Sequence, residues 1–100
     1  MNIRNYRKWL DKYREVGNGW KPLIISLCDK IITIDDTVEV VQVKEKFGGL
    51  GFYIYGDNEE IDDLINKAED ESYKICGVCG TRRNVTTKGS WLLTLCNKCR

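Results

Sequence analysis

Two cysteine pairs decide the fold: Cys76-Gly77-Val78-Cys79-Gly80 and, sixteen residues after the first pair, Cys96-Asn97-Lys98-Cys99. Two residues between cysteines let a tight turn aim both sulfur atoms at one point, and zinc takes four sulfurs in a tetrahedron at about 2.3 Å. The glycine that follows the first pair suits the positive φ that such a turn usually needs. The spacing predicts a zinc ribbon, with two disulfides or four unrelated thiols as the alternatives.

The predicted site holds one Zn²⁺ ion through four side chains: Cys76, Cys79, Cys96 and Cys99. Four thiolates fill the tetrahedron and leave no position for water or substrate, so we expect the zinc to be structural and not catalytic. Metal binding then stabilises the folded ribbon, by on the order of 10 kcal/mol.

The whole chain has 100 residues, of which 42% are hydrophobic, and it is expected to form one compact α+β domain. We predict a body of three helices packed on a β-hairpin over residues 1–72, and a C-terminal zinc ribbon lobe over residues 73–100. The first fourteen residues are too charged for a signal peptide, and no apolar run approaches the roughly 20 residues that span a bilayer. Cysteines with metal-like spacing fit a reducing compartment, so we expect a cytoplasmic protein without a membrane partner.

Charge is distributed unevenly along the chain, although the net charge is only +1. The balance is +4 over residues 1–34, −9 over residues 35–72 and +6 over residues 73–100. Separate acidic and basic zones are typical of a chain that meets a charged partner.

Apolar residues at helical spacing predict two helices in the first third of the chain. The first is amphipathic, runs from Ile3 to Val16 and is ended by Gly17. The second begins near Pro22, a residue favoured in a first helical turn, and its apolar positions continue to Ile32. Cys28 lies on that apolar surface, and the chain has no histidine to activate it, so we expect a buried core thiol.

A β-hairpin is predicted in the middle of the chain. Residues from Val38 to Phe47 are rich in β-branched side chains, and residues from Leu50 to Tyr55 alternate in polarity. The two strands are joined as a hairpin through a tight turn, Phe47-Gly48-Gly49-Leu50. A phosphate-binding loop is the alternative, but such loops lead into a helix and not into a strand.

The third predicted helix has an apolar stripe of Ile61, Leu64, Ile65 and Ala68, and we expect Asp57 to be its N-cap. Its other face is acidic and carries Glu59, Glu60, Asp62, Asp63, Glu69, Asp70 and Glu71. The helix dipole favours acids in the first turn only, so the later ones need another explanation. We interpret this face either as a solvated surface or as a docking surface for a basic partner.

The segment between the cysteine pairs carries basic residues and an aromatic residue: Arg82, Arg83, Lys88 and Trp91. Such residues suit phosphate contacts and base stacking, and they define an alternative function as a small nucleic-acid-binding or regulatory zinc ribbon. A strand is also predicted from Ser90 to Leu95, in which Trp91, Leu93 and Leu95 alternate. In that interpretation these three side chains pack on the body instead.

Several of these segments together resemble a family of short proteins encoded by phages and prophages. The resemblance covers residues 19–99 and rests on three stretches: Val43-Lys44-Glu45-Lys46-Phe47-Gly48-Gly49-Leu50-Gly51-Phe52-Tyr53, the helix with Ala68-Glu69, and the ribbon with Trp91-Leu92-Leu93-Thr94-Leu95-Cys96. Members usually carry Arg at the position of Gly51 and Gly-Trp at Ser90-Trp91, so any role of that Arg is absent here. Within phage repertoires the chain is also similar to zinc-binding anti-CRISPR proteins that act on a type II effector nuclease.

The resemblance implies an inhibitor that binds the host's type II CRISPR effector nuclease and blocks its handling of target DNA, without requiring nucleic acid for binding. Only the four cysteines are carried over from it as functional residues. An enzyme is not expected, because the chain has no histidine, no nucleophile beside a recognisable base and no open metal position. The acidic helix favours the inhibitor over the nucleic-acid-binding ribbon, since its charge repels phosphate.

Overall fold

The computed structural model describes all 100 residues, and it shows a small α+β protein with two separate antiparallel hairpins. The elements in chain order are α1 (Ile3–Lys8), α2 (Leu10–Tyr13), a 3₁₀ turn (Asn18–Trp20), α3 (Lys21–Ile34), β1 (Val40–Lys46), β2 (Gly49–Ile54), α4 (Glu59–Ser72), β3 (Val85–Lys88) and β4 (Leu93–Cys96). None of the helices is both long and apolar enough to span a bilayer.

The predicted first helix is wrong in its continuity and in its end. It is divided into α1 and α2 at Trp9, whose φ of −106° and ψ of 27° are not helical, and it ends at Tyr13 and not at Val16. After Tyr13 the backbone becomes extended, and Glu15 forms a bridge with Lys44 of β1. Pairing with a strand edge therefore competes with the last helical turn that the sequence pattern predicts.

Helix α3 confirms the second prediction. Pro22 lies in its first turn, where the missing N–H group costs no hydrogen bond. Its buried side chains are Ile24, Leu27, Cys28 and Ile31. They join the main core together with side chains of α1, the first hairpin and α4.

Strands β1 and β2 form the predicted hairpin, with Lys46 paired to Gly49 across the turn. The two turn residues, Phe47 and Gly48, have φ of +51° and +86°. Positive φ at both central residues defines the type I′ turn, whose twist matches the twist of paired strands. Phe47 is a bulky residue in a left-handed conformation, which is uncommon outside glycine and asparagine.

Helix α4 covers the free edge of β2 through two side chains. The main-chain N–H of Leu50 donates to Ser72 Oγ at 2.8 Å, and that of Phe52 donates to Glu69 Oε2 at 3.0 Å. These donors have no strand partner, so the helix satisfies groups that an open edge leaves exposed.

The residue that caps α4 is Asn58 and not Asp57, so the predicted N-cap is wrong by one position. Asn58 Oδ1 accepts a hydrogen bond from Ile61 N–H at 3.1 Å. The predicted apolar stripe is confirmed, since Ile61, Ile65 and Ala68 are buried and Leu64 is partly buried against the core.

The order of packing does not confirm the expectation of three helices on one hairpin. Helix α4 packs against β2, α3 packs against α4, and α1 packs against α3. Helix α1 also reaches the hairpin through Tyr6, whose ring meets the ring of Phe52 edge-on at 6.2 Å between centroids. Side chains of α1, α3, α4 and the first hairpin therefore share one core, but the three helices do not form a single layer on the hairpin.

The second hairpin, β3 and β4, lies between the cysteine pairs. Strand β4 starts at Leu93, three residues later than the predicted start at Ser90, and ends at Cys96. Its inward side chains are Thr94 and Cys96, whereas Leu93 is exposed. The predicted strand is thus confirmed in type, but the predicted inward face is the wrong one.

Candidate metal centre

The four ribbon cysteines converge on one point. Cys76 and Cys79 lie in the turn after α4, Cys96 ends β4, and Cys99 lies in the turn that follows. Their four sulfur atoms all lie within 4.8 Å of one another. The fold therefore brings together the four cysteines that the sequence predicts as metal ligands.

Each knuckle is organised by main-chain hydrogen bonds. Cys79 N–H donates to Cys76 Sγ at 3.5 Å, and Gly80 N–H donates to the Cys76 carbonyl oxygen at 3.0 Å. Gly80 has φ of +80°, as the knuckle predicts. In the second knuckle, Cys99 N–H donates to the Cys96 carbonyl oxygen at 3.2 Å.

The spacing of the sulfurs fits a tetrahedral metal and not a disulfide. Zinc–sulfur bonds of about 2.3 Å place the sulfurs of a regular tetrahedron about 3.8 Å apart. Cys79 Sγ and Cys96 Sγ are 3.7 Å apart, whereas a disulfide requires about 2.05 Å. All five cysteines are free thiols. The site can hold one structural metal.

The electrostatics of the cluster favour a bound cation. Burial opposes ionisation of Cys76, but main-chain N–H groups, including that of Cys79, outweigh burial and lower the pKa of this thiol to about 6. Burial also opposes ionisation of Cys96, yet N–H donors lower its pKa. The hydrogen bond with Cys96, together with burial and the other sulfurs, raises the pKa of Cys99 to about 12. A divalent cation among the sulfurs offsets the repulsion that full ionisation creates.

The first knuckle is docked on the turn that precedes α3. Gly19 N–H donates to the Gly77 carbonyl oxygen at 3.0 Å, and the buried Trp20 donates from Nε1 to the Ile75 carbonyl oxygen at 2.9 Å. A Cβ atom on Gly19 would overlap the carbonyl oxygen of Cys76. The main chains of the body and of the ribbon are therefore in direct contact.

The link between body and ribbon differs from the one that the sequence pattern predicts, in which Trp91, Leu93 and Leu95 pack on the body. That prediction is wrong, because Trp91 is 79% exposed, Leu93 is exposed and Leu95 is only partly buried. The hydroxyl of buried Thr94 makes the contact instead, with Gly48. The division into a body of residues 1–72 and a ribbon of residues 73–100 stays a prediction.

The predicted acidic face of α4 separates into free and engaged carboxylates. Glu69 accepts from Phe52 N–H, and Glu71 Oε2 lies 2.7 Å from Arg82 Nη1 in an ion pair. The hydrogen bond from Arg82, with nearby Lys74, lowers the pKa of Glu71. The other acids form no ion pair and accept no side-chain hydrogen bond: Glu59, Glu60, Asp62, Asp63 and Asp70.

The predicted basic set of the ribbon is also divided. Arg82 is held by Glu71, whereas Arg83 and Lys88 are exposed and form no ion pair. Trp91 lies in the turn of the second hairpin beside the turn of the first. Phe47, in the turn of the first hairpin, is therefore a neighbour of Trp91. Local sequence patterns predict a turn at Phe47 but not this contact between two distant turns.

Cys28 lies away from the metal centre, in the core of α3. Burial, together with the charge of Asp29, raises the pKa of the Cys28 thiol to about 12. A protonated, fully buried thiol is a poor nucleophile. The prediction of a core thiol is confirmed.

Comparison with protein-family models, curated proteins and solved structures found no match for this chain. The resemblance to phage-encoded proteins therefore stays an expectation.

Proposed function

We propose that the protein is a phage-type inhibitor that binds a type II RNA-guided effector nuclease in the host cytoplasm and blocks its handling of target DNA. The observation that carries this proposal is the acidic surface of α4. We use that name for its five free carboxylates: Glu59, Glu60, Asp62, Asp63 and Asp70. The family resemblance supports the same class of partner.

Effector nucleases of this class hold guide and target nucleic acids in positively charged channels that carry no sequence preference of their own. A surface with several unpaired carboxylates is complementary to such a channel, and the long-range attraction speeds encounter. Lys67 is the one basic side chain on α4, so little opposes the attraction. The proposal requires binding to the effector protein and no chemical change to it.

In this proposal the metal at the four-cysteine site is zinc, and its role is structural. Four thiolates are a donor set that zinc favours, and they leave no open coordination position. The ribbon contacts the turn before α3 and also pairs Arg82 with α4. Bound zinc then keeps the ribbon folded in the position in which it makes these two contacts.

The test is the association rate with a purified type II effector, measured by surface plasmon resonance. Reversal of three free acids, Asp62, Asp63 and Asp70, to Lys should slow association by about tenfold or more, and raised salt should weaken the wild-type complex. Glu69 is kept, because its carboxylate holds β2, and Glu71 is kept for Arg82.

Two single variants form a matched comparison. Asp63→Lys and Glu15→Lys each reverse one exposed carboxylate that forms no ion pair, but only the first lies on α4. Asp63→Lys should slow association, Glu15→Lys should have a smaller effect, and Lys67→Glu should speed it. Failure of the wild type to bind any effector contradicts the proposal. If the two charge reversals slow association equally, the acidic surface of α4 is not the surface that binds the effector.

A further inference from the structure

The two hairpin turns enclose a groove of about 360 Å³, which we call the tip groove. The residues that line it are Glu45, Phe47, Gly48, Ser90, Trp91 and Leu92. Phe47 is 75% exposed and Trp91 is 79% exposed, so neither large ring is held in place by the core. The groove lies outside both the metal centre and the acidic surface of α4.

The tip groove is preorganised by contacts between the turns. Thr94 Oγ1 donates to the Gly48 carbonyl oxygen at 2.6 Å, and the hydroxyls of Thr87 and Thr94 are hydrogen-bonded at 2.6 Å. A Cβ atom on Gly48 would lie only 2.6 Å from the methyl group of Thr87, so the turns pack closely. The main chains that carry the two rings are therefore fixed relative to each other.

Phe47 occupies a backbone conformation that its side chain does not favour. Its φ of +51° suits glycine or asparagine and is uncommon for a bulky residue. Core packing does not compensate for this conformation, because the ring is mostly in solvent. Strained residues of this kind cluster at binding sites.

Glu45 is the one charged side chain that lines the tip groove, and it forms no ion pair. Alternation along β1 places it on the same face as the buried Val43, and Lys44 and Lys46 on the opposite face. The ammonium groups of these two lysines lie 5.7 and 6.0 Å from the ring centre of Tyr53. They are therefore directed away from the groove.

Lys88, which ends β3, is also directed away from the first turn. Its neighbour Thr87 points inward, since the Thr87 hydroxyl is bonded to that of the buried Thr94. Successive residues of a strand point to opposite faces, so Lys88 lies on the outer face. The tip groove itself is thus lined by one negative charge and by no positive charge.

The rings of Phe47 and Trp91 are free to receive a cation. Three other aromatic rings already lie under lysine ammonium groups of the chain, at 5.3 to 6.0 Å from the ring centres: Trp9, Tyr13 and Tyr53. No basic group of the chain lies over Phe47 or Trp91, and these two rings do not pair with each other. Aromatic faces attract cations, and the indole of tryptophan does so most strongly.

We propose that the tip groove binds an arginine side chain of a partner protein, with the guanidinium group stacked on Trp91 and ion-paired to Glu45. A carboxylate between aromatic rings is complementary in charge to a cation. Among cationic side chains, arginine has a planar group that stacks on rings and binds a carboxylate through two parallel hydrogen bonds. Phe47 and Leu92 then cover its methylene stem. The inference goes beyond the proposed inhibitor function and does not depend on it.

The test is a titration of the zinc-loaded full chain, followed by nuclear magnetic resonance of its main-chain N–H groups and of the Trp91 indole. The probe is a short blocked peptide in which arginine and glycine alternate. We expect saturable shifts at the Trp91 indole and at the N–H groups of Phe47 and Leu92. Because each residue is observed separately, binding in the tip groove is distinguished from binding to the acidic surface of α4.

Two further peptides test the chemistry of the bound side chain. Replacement of each arginine by citrulline, which has a similar shape and no charge, should abolish the shifts in the tip groove. Replacement by lysine should weaken binding, because an ammonium group has no planar face to stack on an indole.

Variants of the lining residues test the groove. Glu45→Gln and Phe47→Asn should each weaken binding about threefold, within the range of an exposed ion pair or cation–π contact. Asparagine tolerates positive φ, so Phe47→Asn removes the ring without adding strain. Trp91→Ala should weaken binding about fivefold or more, measured at the Leu92 N–H group.

Matched controls separate the groove from general effects. Asp63→Asn removes an unpaired carboxylate on α4, and Tyr55→Ala removes a ring that is also 75% exposed but does not line the groove. Both variants should bind the arginine peptide at the Trp91 indole as the wild type does.

Three results overturn the proposal. They are the absence of saturable shifts with the arginine peptide, equal shifts with the citrulline peptide, and wild-type affinity in Glu45→Gln. Shifts at the same groups produced by oligo-dT, and not by the arginine peptide, would assign the tip groove to nucleic acid instead.

Discussion

The Thr94 hydroxyl donates a hydrogen bond of 2.6 Å to the main-chain carbonyl oxygen of Gly48 and thereby joins the second hairpin to the turn of the first. Thr94 is buried, and forty-six residues of chain separate the two partners. The bond satisfies a polar group inside the protein, which is costly to leave unpaired. It fixes the position of the ribbon on the body.

Thr94→Val keeps the shape of the side chain and removes this bond. We expect a loss of about 1–3 kcal/mol in the free energy of unfolding, because the Gly48 carbonyl oxygen loses its buried donor. Urea denaturation at saturating zinc measures this loss in the free energy of unfolding. Thr86→Val, on an exposed position of the same hairpin, is the control and should change stability much less. Equal stability of both variants would show that the bond does not hold the ribbon.

Gly19→Ala tests the main-chain contact between the body and the first knuckle. The new Cβ atom overlaps the carbonyl oxygen of Cys76, which is backbone and has little freedom to move. We expect a loss of about 3 kcal/mol or failure to fold. Gly77→Ala is the matched control, because its Cβ atom would lie 3.6 Å from the nearest atom, the Thr94 carbonyl oxygen. Comparable thermal unfolding of the two variants would contradict the docking.

Some of this architecture follows from the sequence alone. The spacing of the cysteines predicts the metal centre, because two residues between ligands fix the knuckle geometry locally. The stripe of Ile61, Ile65 and Ala68 predicts α4 for the same reason, since periodicity within one helix needs no knowledge of its neighbours.

The features that sequence reasoning missed depend on distant contacts. Alternation in β4 gives a period of two but does not say which face is inward. The apolar residues Leu93 and Leu95 suggested one face, but Cys96 must point to the other sulfurs. Thr94 then shares its side of the strand and meets Gly48. The end of the helix at Tyr13 likewise depends on a non-local pairing, between Glu15 and β1.

Glu69→Ala tests the role of α4 as a cover for the edge of β2. Its carboxylate accepts from Phe52 N–H at 3.0 Å in a partly buried position. A hydrogen bond to a charged group contributes about 1.5–3 kcal/mol, so we expect a loss of that order in urea denaturation. Asp70→Ala removes the next acid along the helix, which has no partner, and should change stability by less than about 0.5 kcal/mol. If both variants lose the same stability, the carboxylate does not secure the strand.

Cys28 predicts a specific pH dependence of stability. Burial raises the pKa of its thiol to about 12, whereas an unfolded cysteine ionises near pH 8.5. Between these two pH values the unfolded state binds fewer protons than the folded state. A rise in pH therefore stabilises the unfolded state relative to the folded state. The free energy of unfolding should therefore fall above about pH 8.5, and it should fall less steeply in Cys28→Ala. Parallel pH profiles of the two proteins would exclude this thiol as a cause.

We propose that one zinc ion supports the fold and is held by Cys76, Cys79, Cys96 and Cys99. Native mass spectrometry of the purified chain tests it most directly, with Cys28→Ser as a control that should keep the metal and Cys76→Ser as the variant that should lose it. We expect one Zn²⁺ per chain, retained on dilution and removed by a strong chelator together with the folded state of the ribbon. A folded, metal-free chain whose mass shows two disulfides would contradict the account.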